Sequence, residues 1–390
     1  MTRLFEIGTA LGAEHAQDRE RFRTHWDVHV RHSRRMILEG AGRVASPGSV
    51  TILGGGSAWN LPLEELARQF DHVRLIDIDD DNLQKAISAL PTECRAKVEI
   101  HVADVSGGLA TDLVGRALEV IEKAHSSEQA AGDLAPLFGS PEFEDGGSIP
   151  YSDWKASYVI SSCVSSQLTI FPEKAVMKAF SEKFGAELED DFFSRNGSFR
   201  LRTDWVRRHG ELLSSLVTDG GRVYWADTVA ETPYLAEFGS EALSVAIDAV
   251  VNFLDQAYLK TFFTDAGKQV LTERFNQGLP GGRMSQAEQK RRYAWAVMTL
   301  VGENFIAPNR ELELVTYIIM EAERMFPNAR QPILEGGKLS QYFPASLVPE
   351  GEPASWLWIN DPEGAVTLEG YSYYVDAFIL RNSGTVASFP

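Results

Sequence analysis

A glycine triplet between two apolar strands constrains the fold of this chain more than any other feature. Residues 50–53 form an apolar run that predicts a strand, and three glycines follow at 54–56. Residues 61–70 carry apolar side chains at helical spacing, and a second apolar run, 73–76, ends on Asp77. Glycines let backbone amides approach a ligand where a Cβ would collide, and a strand-end carboxylate about 20 residues later is typical of nucleotide-binding folds. This unit therefore predicts one nucleotide-type site.

Length and charge limit the class of protein. The chain has 390 residues, with 37 Lys and Arg against 55 Asp and Glu and a net charge of -18. A chain of this length is expected to hold a core domain with a large insertion or an added domain. The densest basic clusters, at 200–208 and 290–292, read as solvated helix faces or local ion pairs. We therefore expect no nucleic-acid partner.

Cysteine and histidine patterns give no sign of a disulfide framework or a metal site. Cys94 and Cys163 are the two cysteines, and their context fits a reducing compartment. His29 and His32 share one predicted helix but lack a third ligand at metal-binding spacing, so we expect no metal. No stretch approaches the roughly 18 apolar residues of a membrane span, and the N-terminus lacks a signal-like apolar core. We expect a soluble, cytoplasmic protein without a membrane partner.

Strands and helices alternate from the N-terminus to about residue 230. A helix is predicted at 16–40, a loop insertion at 125–153, an irregular helical stretch at 171–200, and Gly220 and Gly221 precede the fifth strand. Further strands are predicted at 98–102, 157–160 and 222–227, and further helices at 82–90, 109–124 and 203–216.

The rest of the chain is predicted to be helical and then to return to strands. Residues 232–341 contain two strong amphipathic runs, 243–262 and 311–325, with a Gly-Pro break at 279–282. Two apolar segments near the C-terminus flank a turn-rich stretch and predict a hairpin that closes the edge of the sheet. These hairpin segments are 355–359 and 373–380.

The predicted fold class is α/β, a doubly wound and mostly parallel seven-stranded sheet with a helical insertion between strands five and six. We divide the chain into four predicted segments. They are an N-terminal helical segment at 1–48, a nucleotide-binding core at 49–230, a helical insertion or cap at 231–350 and a C-terminal hairpin at 351–390.

This arrangement resembles the class I S-adenosylmethionine-dependent methyltransferases over residues 20–230 and 355–380. Their first motif usually runs acid, any, Gly, any, Gly, any, Gly. The matching residues here are Ile52, Gly54, Gly56 and Ala58, so two glycines are kept, the third is alanine and the leading acid is apolar. The resemblance implies a Rossmann-like fold, S-adenosylmethionine (SAM) as cofactor and methyl transfer as the reaction.

The resemblance also implies roles for individual residues. Asp77 matches the carboxylate that accepts both ribose hydroxyls, with Asp79 as the alternative in register. Asp104 matches the position that holds the adenine amino group, and Val105 would supply an apolar contact or a backbone amide. The end of the fourth strand would line the methyl-transfer site. The implied cofactor-binding residues are Gly54, Gly55, Gly56, Ser57, Ala58, Asp77, Asp79, Asp104, Val105, Ser161 and Ser162.

A sulfonium methyl is a strong electrophile, so such an enzyme mainly aligns its acceptor, and a general base is optional. His209 and Tyr224 are the candidate bases. The acidic composition and the aromatic-rich helical insertion suggest a small organic or peptide acceptor. We also allow for a homodimer formed through the insertion.

Three alternatives remain open at the level of sequence. An aminopropyltransferase that uses decarboxylated SAM would share the glycine loop, but it would carry an aspartate-rich loop where residues 161–167 contain no acid. A nicotinamide dehydrogenase would place glycine at Trp59. A non-catalytic protein that keeps the cofactor fold would explain the departures in the glycine motif.

Overall fold

The computed structural model describes most of the chain. The described residues are 20–139, 151–189, 191–231, 239–256, 262–276, 284–326, 330–362 and 372–384, with single positions between 6 and 17.

One sheet organises the described part of the chain. Its strands are β1 Ser49–Leu53, β2 His72–Asp77, β3 Val98–Val102, β4 Ala156–Ser162, β5 Val217–Glu231, β6 Gln331–Pro332, β7 Leu347–Pro349, β8 Ala354–Ile359 and β9 Ser372–Asn382.

The strand order is β3-β2-β1-β4-β5-β9. The first five strands are parallel to one another, and β9 runs antiparallel to β5. β7 and β8 both pair with the outer edge of β9, while the short β6 pairs with the end of β5. The β3-β2-β1-β4-β5 order is that of doubly wound nucleotide-binding sheets, in which ligands bind at the carboxyl ends of the strands.

The predicted fold class is confirmed, and the β8–β9 pairing confirms the C-terminal hairpin. The predicted number of strands is wrong: in the described part of the chain the sheet has nine strands rather than seven. Two short strands, β7 and β8, share the edge of β9, and β6 contains only Gln331 and Pro332. Two residues are too few to show an alternating apolar pattern, so β6 could not be read from the sequence.

Helices cover both faces of the sheet and fill the segment between β5 and β6. Those up to β5 are α1 Arg23–Gly42, α2 Leu63–Gln69, α3 Asp80–Ser88, α4 Thr92–Arg95, α5 Leu109–Lys123, α6 Ser127–Gly139, α7 Ile170–Phe184, α8 Phe192–Arg195 and α9 Ser198–Leu216. Those after β5 are α10 Gly239–Gln256, α11 Asp265–Asn276, α12 Gln286–Met298 and α13 Pro308–Met325.

Alternation along β4 separates the two faces of the core. Tyr158 and Ile160 pack in the cluster that contains the buried side chains of α1 to α4, whereas Val159 packs in the cluster of α5 to α9. Successive side chains of a strand point to opposite faces, which explains the division. Helices α10 to α13 form a third apolar cluster that also includes Ile359 of β8.

Two local predictions are wrong. The predicted loop insertion at 125–153 contains helix α6, whose Ala130, Leu134 and Phe138 are buried at four-residue intervals. Pro136 inside that helix and the glycine-rich stretch after it obscured the period in the sequence. Gly220 and Gly221 lie within β5 rather than before it, at a shift in its register with β4. The predicted break at 279–282 lies outside the described residues.

No helix in the described part of the chain has the length and apolarity needed to cross a membrane.

Candidate functional site

The glycine loop lies at the carboxyl ends of β1 and β2. The backbone amides of Gly54 and Gly55 both donate to the Ile76 carbonyl, over 2.8 and 3.2 Å, so β2 holds the loop. Gly54 and Gly56 have φ of 67° and 44°, in the left-handed region that favours glycine. Ala58 also has a positive φ, 54°, which costs an L-residue roughly 1–2 kcal/mol. Alanine therefore takes the backbone conformation of a glycine at the third motif position.

Asp77 closes the loop from the end of β2. Its carboxylate accepts from the Gly56 amide at 2.8 Å and from the Asp79 amide at 3.0 Å. Burial raises the pKa of Asp77, and these two amide hydrogen bonds partly oppose that shift. The side chain is only half-buried, and a carboxylate offers about four acceptor positions. Asp77 therefore keeps acceptor capacity beyond these amide hydrogen bonds.

Asp79 has a different role. It is the N-cap of α3, where one carboxylate oxygen accepts from the Asn82 amide at 3.1 Å and the other from Asn82 Nδ2 at 2.7 Å. The residue is buried, and both oxygens are engaged within its own helix turn. Of the two candidate ribose carboxylates, the geometry favours Asp77.

Replacing the cap should affect stability. We expect Asp79→Ala to lower the free energy of unfolding by about 1 kcal/mol, because an N-cap acceptor is lost and the Asn82 amide loses its partner. Urea denaturation would measure this change. An unchanged midpoint would show that Asp79 does not cap α3.

The carboxylate of Asp104 is engaged in hydrogen bonds with residues that follow it closely in the chain. One oxygen accepts from the amide and hydroxyl of Ser106, at 2.8 and 2.5 Å, and the other from the amide and hydroxyl of Thr111, at 3.0 and 2.9 Å. Four hydrogen bonds fill the acceptor positions of a carboxylate, so the expected contact with an adenine amino group is not supported. Val105 is buried beside the first turn of α5 in the core cluster of that face.

Ser161 and Ser162 separate at the end of β4. Ser162 is half-buried, and its Oγ accepts from Asn60 Nδ2 at 3.1 Å, which joins the strand end to the residues after the glycine loop. Ser161 is fully buried, and its Oγ lies 2.9 Å from His209 Nε2 of α9. Because neighbouring strand residues face opposite sides, only Ser162 reaches the glycine-loop segment.

The structure does not support His209 or Tyr224 as a general base. Both are buried. Burial lowers the pKa of His209 to about 3 and raises that of Tyr224 well above its usual value. The imidazole is then a weak base, and the phenol stays protonated at neutral pH.

His209 should make stability depend on pH. Its folded-state pKa lies below the ordinary value of 6.5, so the unfolded chain binds a proton that the folded chain excludes. We expect the free energy of unfolding to fall as pH drops from about 6.5 toward 3. In urea titrations, His209→Gln should lose less stability than the wild type between pH 7.5 and 5. If the variant and the wild type lost equal stability over this pH range, His209 would not be the source of the pH dependence. The variant's free energy of unfolding should still fall somewhat with falling pH, because burial also lowers the pKa of His25, to about 4.

Trp59 fixes the chain after the glycine loop. Its ring centroid lies 5.1 Å from that of Trp26 and 5.7 Å from that of His29, both on α1. His29 stacks on Trp358 of β8 at 4.3 Å and accepts from the Trp356 indole at 3.1 Å. Offset and tilted aromatic contacts of this kind add to burial energy. The loop is therefore fixed to α1 and β8 as well as to β2.

Sequence reasoning missed Asn60 and Asp227. Asn60 gives no signal of its own, because its partner Ser162 lies about 100 residues away. Asp227 follows an apolar run in β5, at the point where β4 stops pairing with it, and an acid after an apolar run could have identified it, as it did Asp77. Its carboxylate is fully buried and holds the loop after β4.

A separate cavity of about 410 Å³ lies between α6, α7 and α8 and includes none of these residues. Among the described residues, no three His, Cys, Asp or Glu side chains gather as a metal site would require.

The strand order, the antiparallel β9 beside β5 and the glycine loop contacting a strand-end carboxylate define a doubly wound, Rossmann-like fold. No family model matches the sequence, and no curated protein matches it at a significant level.

Several solved structures show a distant likeness. YcgJ of Bacillus subtilis is 9% identical, with coverage of 90% of this chain and 97% of that one and a TM-score of 0.29. The plantazolicin methyltransferase BpumL in complex with SAH is 9% identical, with coverage of 97% and 99% and a TM-score of 0.27. The DhpI–SAH complex is 15% identical, with coverage of 59% and 74% and a TM-score of 0.29. Likeness at these TM-scores carries no argument for function.

Proposed function

We propose that the protein binds SAM and transfers its methyl group to a small organic or peptide acceptor. The contact between the Asp77 carboxylate and the Gly56 amide carries this proposal. It places an acceptor-only group with free capacity beside a loop whose backbone has the positive φ values needed for close approach. This pairing suits a ribose diol with an attached charged tail.

The residues at this edge of the sheet fit the parts of the cofactor. Asp77 would accept from both ribose hydroxyls, and the loop from Gly54 to Ala58 would cover the ribose and the methionine chain. Val105 would contact the adenine ring through its apolar side chain or its amide. Asp104 acts instead by holding the turn that presents Val105, since its carboxylate binds Ser106 and Thr111.

Methyl transfer requires alignment more than acid–base chemistry. When bound, SAM supplies an electrophilic methyl group, whose bond to sulfur breaks as a bond to the acceptor nucleophile forms. Ser162 and Asn60, joined by their hydrogen bond, would form the polar wall on the acceptor side. No base is assigned, because the two candidates are buried with pKa shifts that disfavour the role.

The helices from α10 to α13 would form a cap near the acceptor side. Their shared core includes Ile359 at the end of β8, next to Trp358, which stacks on His29. We propose a cytoplasmic enzyme, since Cys94 and Cys163 are both free and buried as in a reducing compartment.

Isothermal calorimetry tests the proposal. The purified full chain would be titrated with SAM, S-adenosylhomocysteine, decarboxylated SAM and NAD⁺. We expect the first two to bind and NAD⁺ to give no heat. Failure of both SAM and S-adenosylhomocysteine to bind would contradict the proposal, and preference for decarboxylated SAM would favour the aminopropyltransferase alternative.

A further inference from the structure

We propose that Asp227 is a positioning residue that holds the loop after β4, residues 163–167, against the glycine loop and so sets the wall of the methyl-transfer site. The inference rests on the proposed function for the identity of the ligand. The placement of the loop by Asp227 can be tested without any ligand.

Asp227 lies within β5, directly after Ala226, the last residue of that strand that pairs with β4, and it is fully buried. Its carboxylate accepts from the Ser165 hydroxyl, from the Ser166 amide at 3.1 and 3.2 Å to its two oxygens, and from the Thr228 amide at 2.9 Å. The Ser166 and Thr228 hydroxyls lie 2.6 Å apart, and the Trp225 indole donates to Ser165 Oγ at 3.3 Å. One carboxylate thus holds the loop by two consecutive residues.

The loop needs such an anchor because its backbone is strained. Cys163 has a φ of 56°, in the left-handed region that costs a residue with a Cβ roughly 1–2 kcal/mol. Its amide donates to the Ala226 carbonyl at 2.8 Å, which draws the chain from β4 toward β5 immediately before Asp227. A strained conformation persists only where its surroundings determine it, and here those surroundings are Ala226 and Asp227 of β5.

The loop after β4 contacts the glycine loop through the side chain of Val164. A Cβ built on Gly54 would lie 2.4 Å from Val164 Cγ2, so the Val164 side chain covers the bare α-carbon of Gly54. Ser162, just before the loop, binds Asn60 just after the glycine segment. Displacing Ser165 and Ser166 would therefore move Val164 and Ser162, the two residues that line the crevice between β1 and β4.

The hydrogen bonds distinguish positioning from catalysis. Asp227 is enclosed, and its oxygens are already filled by groups of its own chain. An asparagine could keep the contacts with both segments: its carbonyl would accept from the Ser166 and Thr228 amides, and the bond to Ser165 would reverse, with Nδ2 donating to Ser165 Oγ. A carboxylate needed as a base or counter-charge could not be replaced in this way.

The test compares Asp227→Ala and Asp227→Asn, with Asp219→Ala as a control that removes an exposed carboxylate from the same strand. Hydrogen exchange of the peptides covering 162–169 and 226–229 reports the loop in the free protein. We expect exchange there to rise at least tenfold in Asp227→Ala, with other regions unchanged, and to stay within about threefold of wild type in Asp227→Asn and the control. Unchanged exchange in Asp227→Ala would overturn the inference.

Calorimetry then links the loop to the site. We expect Asp227→Ala to weaken SAM binding at least tenfold and Asp227→Asn to restore it to within about threefold of wild type. If Asp227→Asn weakened SAM binding as much as Asp227→Ala, the positioning role would be overturned, and the charge of the carboxylate would be what binding requires. If the wild type binds neither SAM nor S-adenosylhomocysteine, the proposed function fails while the exchange result still decides the role of Asp227. Should Asp227→Ala not fold, Ser165→Ala removes one donor, and its loop exchange should rise several-fold; no rise would count against the inference.

Discussion

Asp77→Asn is expected to weaken SAM binding by about 10- to 100-fold. Asparagine keeps the size of the side chain but replaces one acceptor oxygen with a donor and removes the charge. A hydrogen bond to a charged group contributes about 1.5–3 kcal/mol, which corresponds to the stated range for losing one strong ribose contact. The dissociation constant from calorimetry with SAM and with S-adenosylhomocysteine measures the effect. Both ligands should lose affinity equally, because they share the ribose.

A matched control separates this contact from general charge effects. Asp81 lies four residues later on α3 and is exposed, so Asp81→Asn makes the same chemical change without touching the site. We expect its affinity to match that of the wild type. Urea midpoints of both variants would show that folding is retained. Wild-type affinity in Asp77→Asn, or an equal loss in both variants, would show that Asp77 does not hold the ribose.

Much of the sheet could be predicted because its signals are local. The apolar runs at β1 to β5 and the strong period of α5 depend on residues close together in the chain, and burial in a parallel sheet requires such runs. The contact between Gly56 and Asp77 also followed from sequence, since a glycine loop after one strand and an acid after its neighbour meet at the same edge.

The side-chain partners could not be predicted, because they come from distant segments. Asp104 looks like a ligand-facing acid until Thr111 is seen to donate to it, and Ser161 looks like a site residue until His209 of α9 is placed beside it. Both cases depend on which face of an element a side chain takes. A shift of one residue along a strand reverses that face, so strand-end prediction does not determine it.

The burial of Asp227 is a further feature that the sequence does not predict. Like Asp77, Asp227 follows an apolar run, but it lies within β5 and is fully buried, whereas Asp77 ends β2 and is half-buried. The two differ because the loop after β4, residues 163–167, folds over Asp227, and its two serines supply donors to the carboxylate. Small side chains allow that close covering, but their sequence does not show which carboxylate they cover.

Gly54→Ala should have the largest effect on stability. Its φ of 67° would strain alanine, and the new Cβ would lie 2.4 Å from Val164 Cγ2. Left-handed strain and overpacking together are expected to lower the free energy of unfolding by about 2–4 kcal/mol. SAM binding should fall at least tenfold, since the clash separates the two loops that form the crevice. Urea denaturation and calorimetry measure the two effects.

The clash can be relieved while the strain stays. Val164→Ala removes Cγ2 and leaves Val164 Cβ, which is 3.4 Å from the Cβ built on Gly54 and within tolerable contact. The double variant should therefore be less destabilised than the sum of the single variants, by about 1 kcal/mol or more. Gly115→Ala is the control: this exposed glycine in α5 has open space around it, and the change should stabilise the protein by about 0.5–1 kcal/mol. Strict additivity of Gly54→Ala and Val164→Ala would show that the loop after β4 does not rest on the glycine loop.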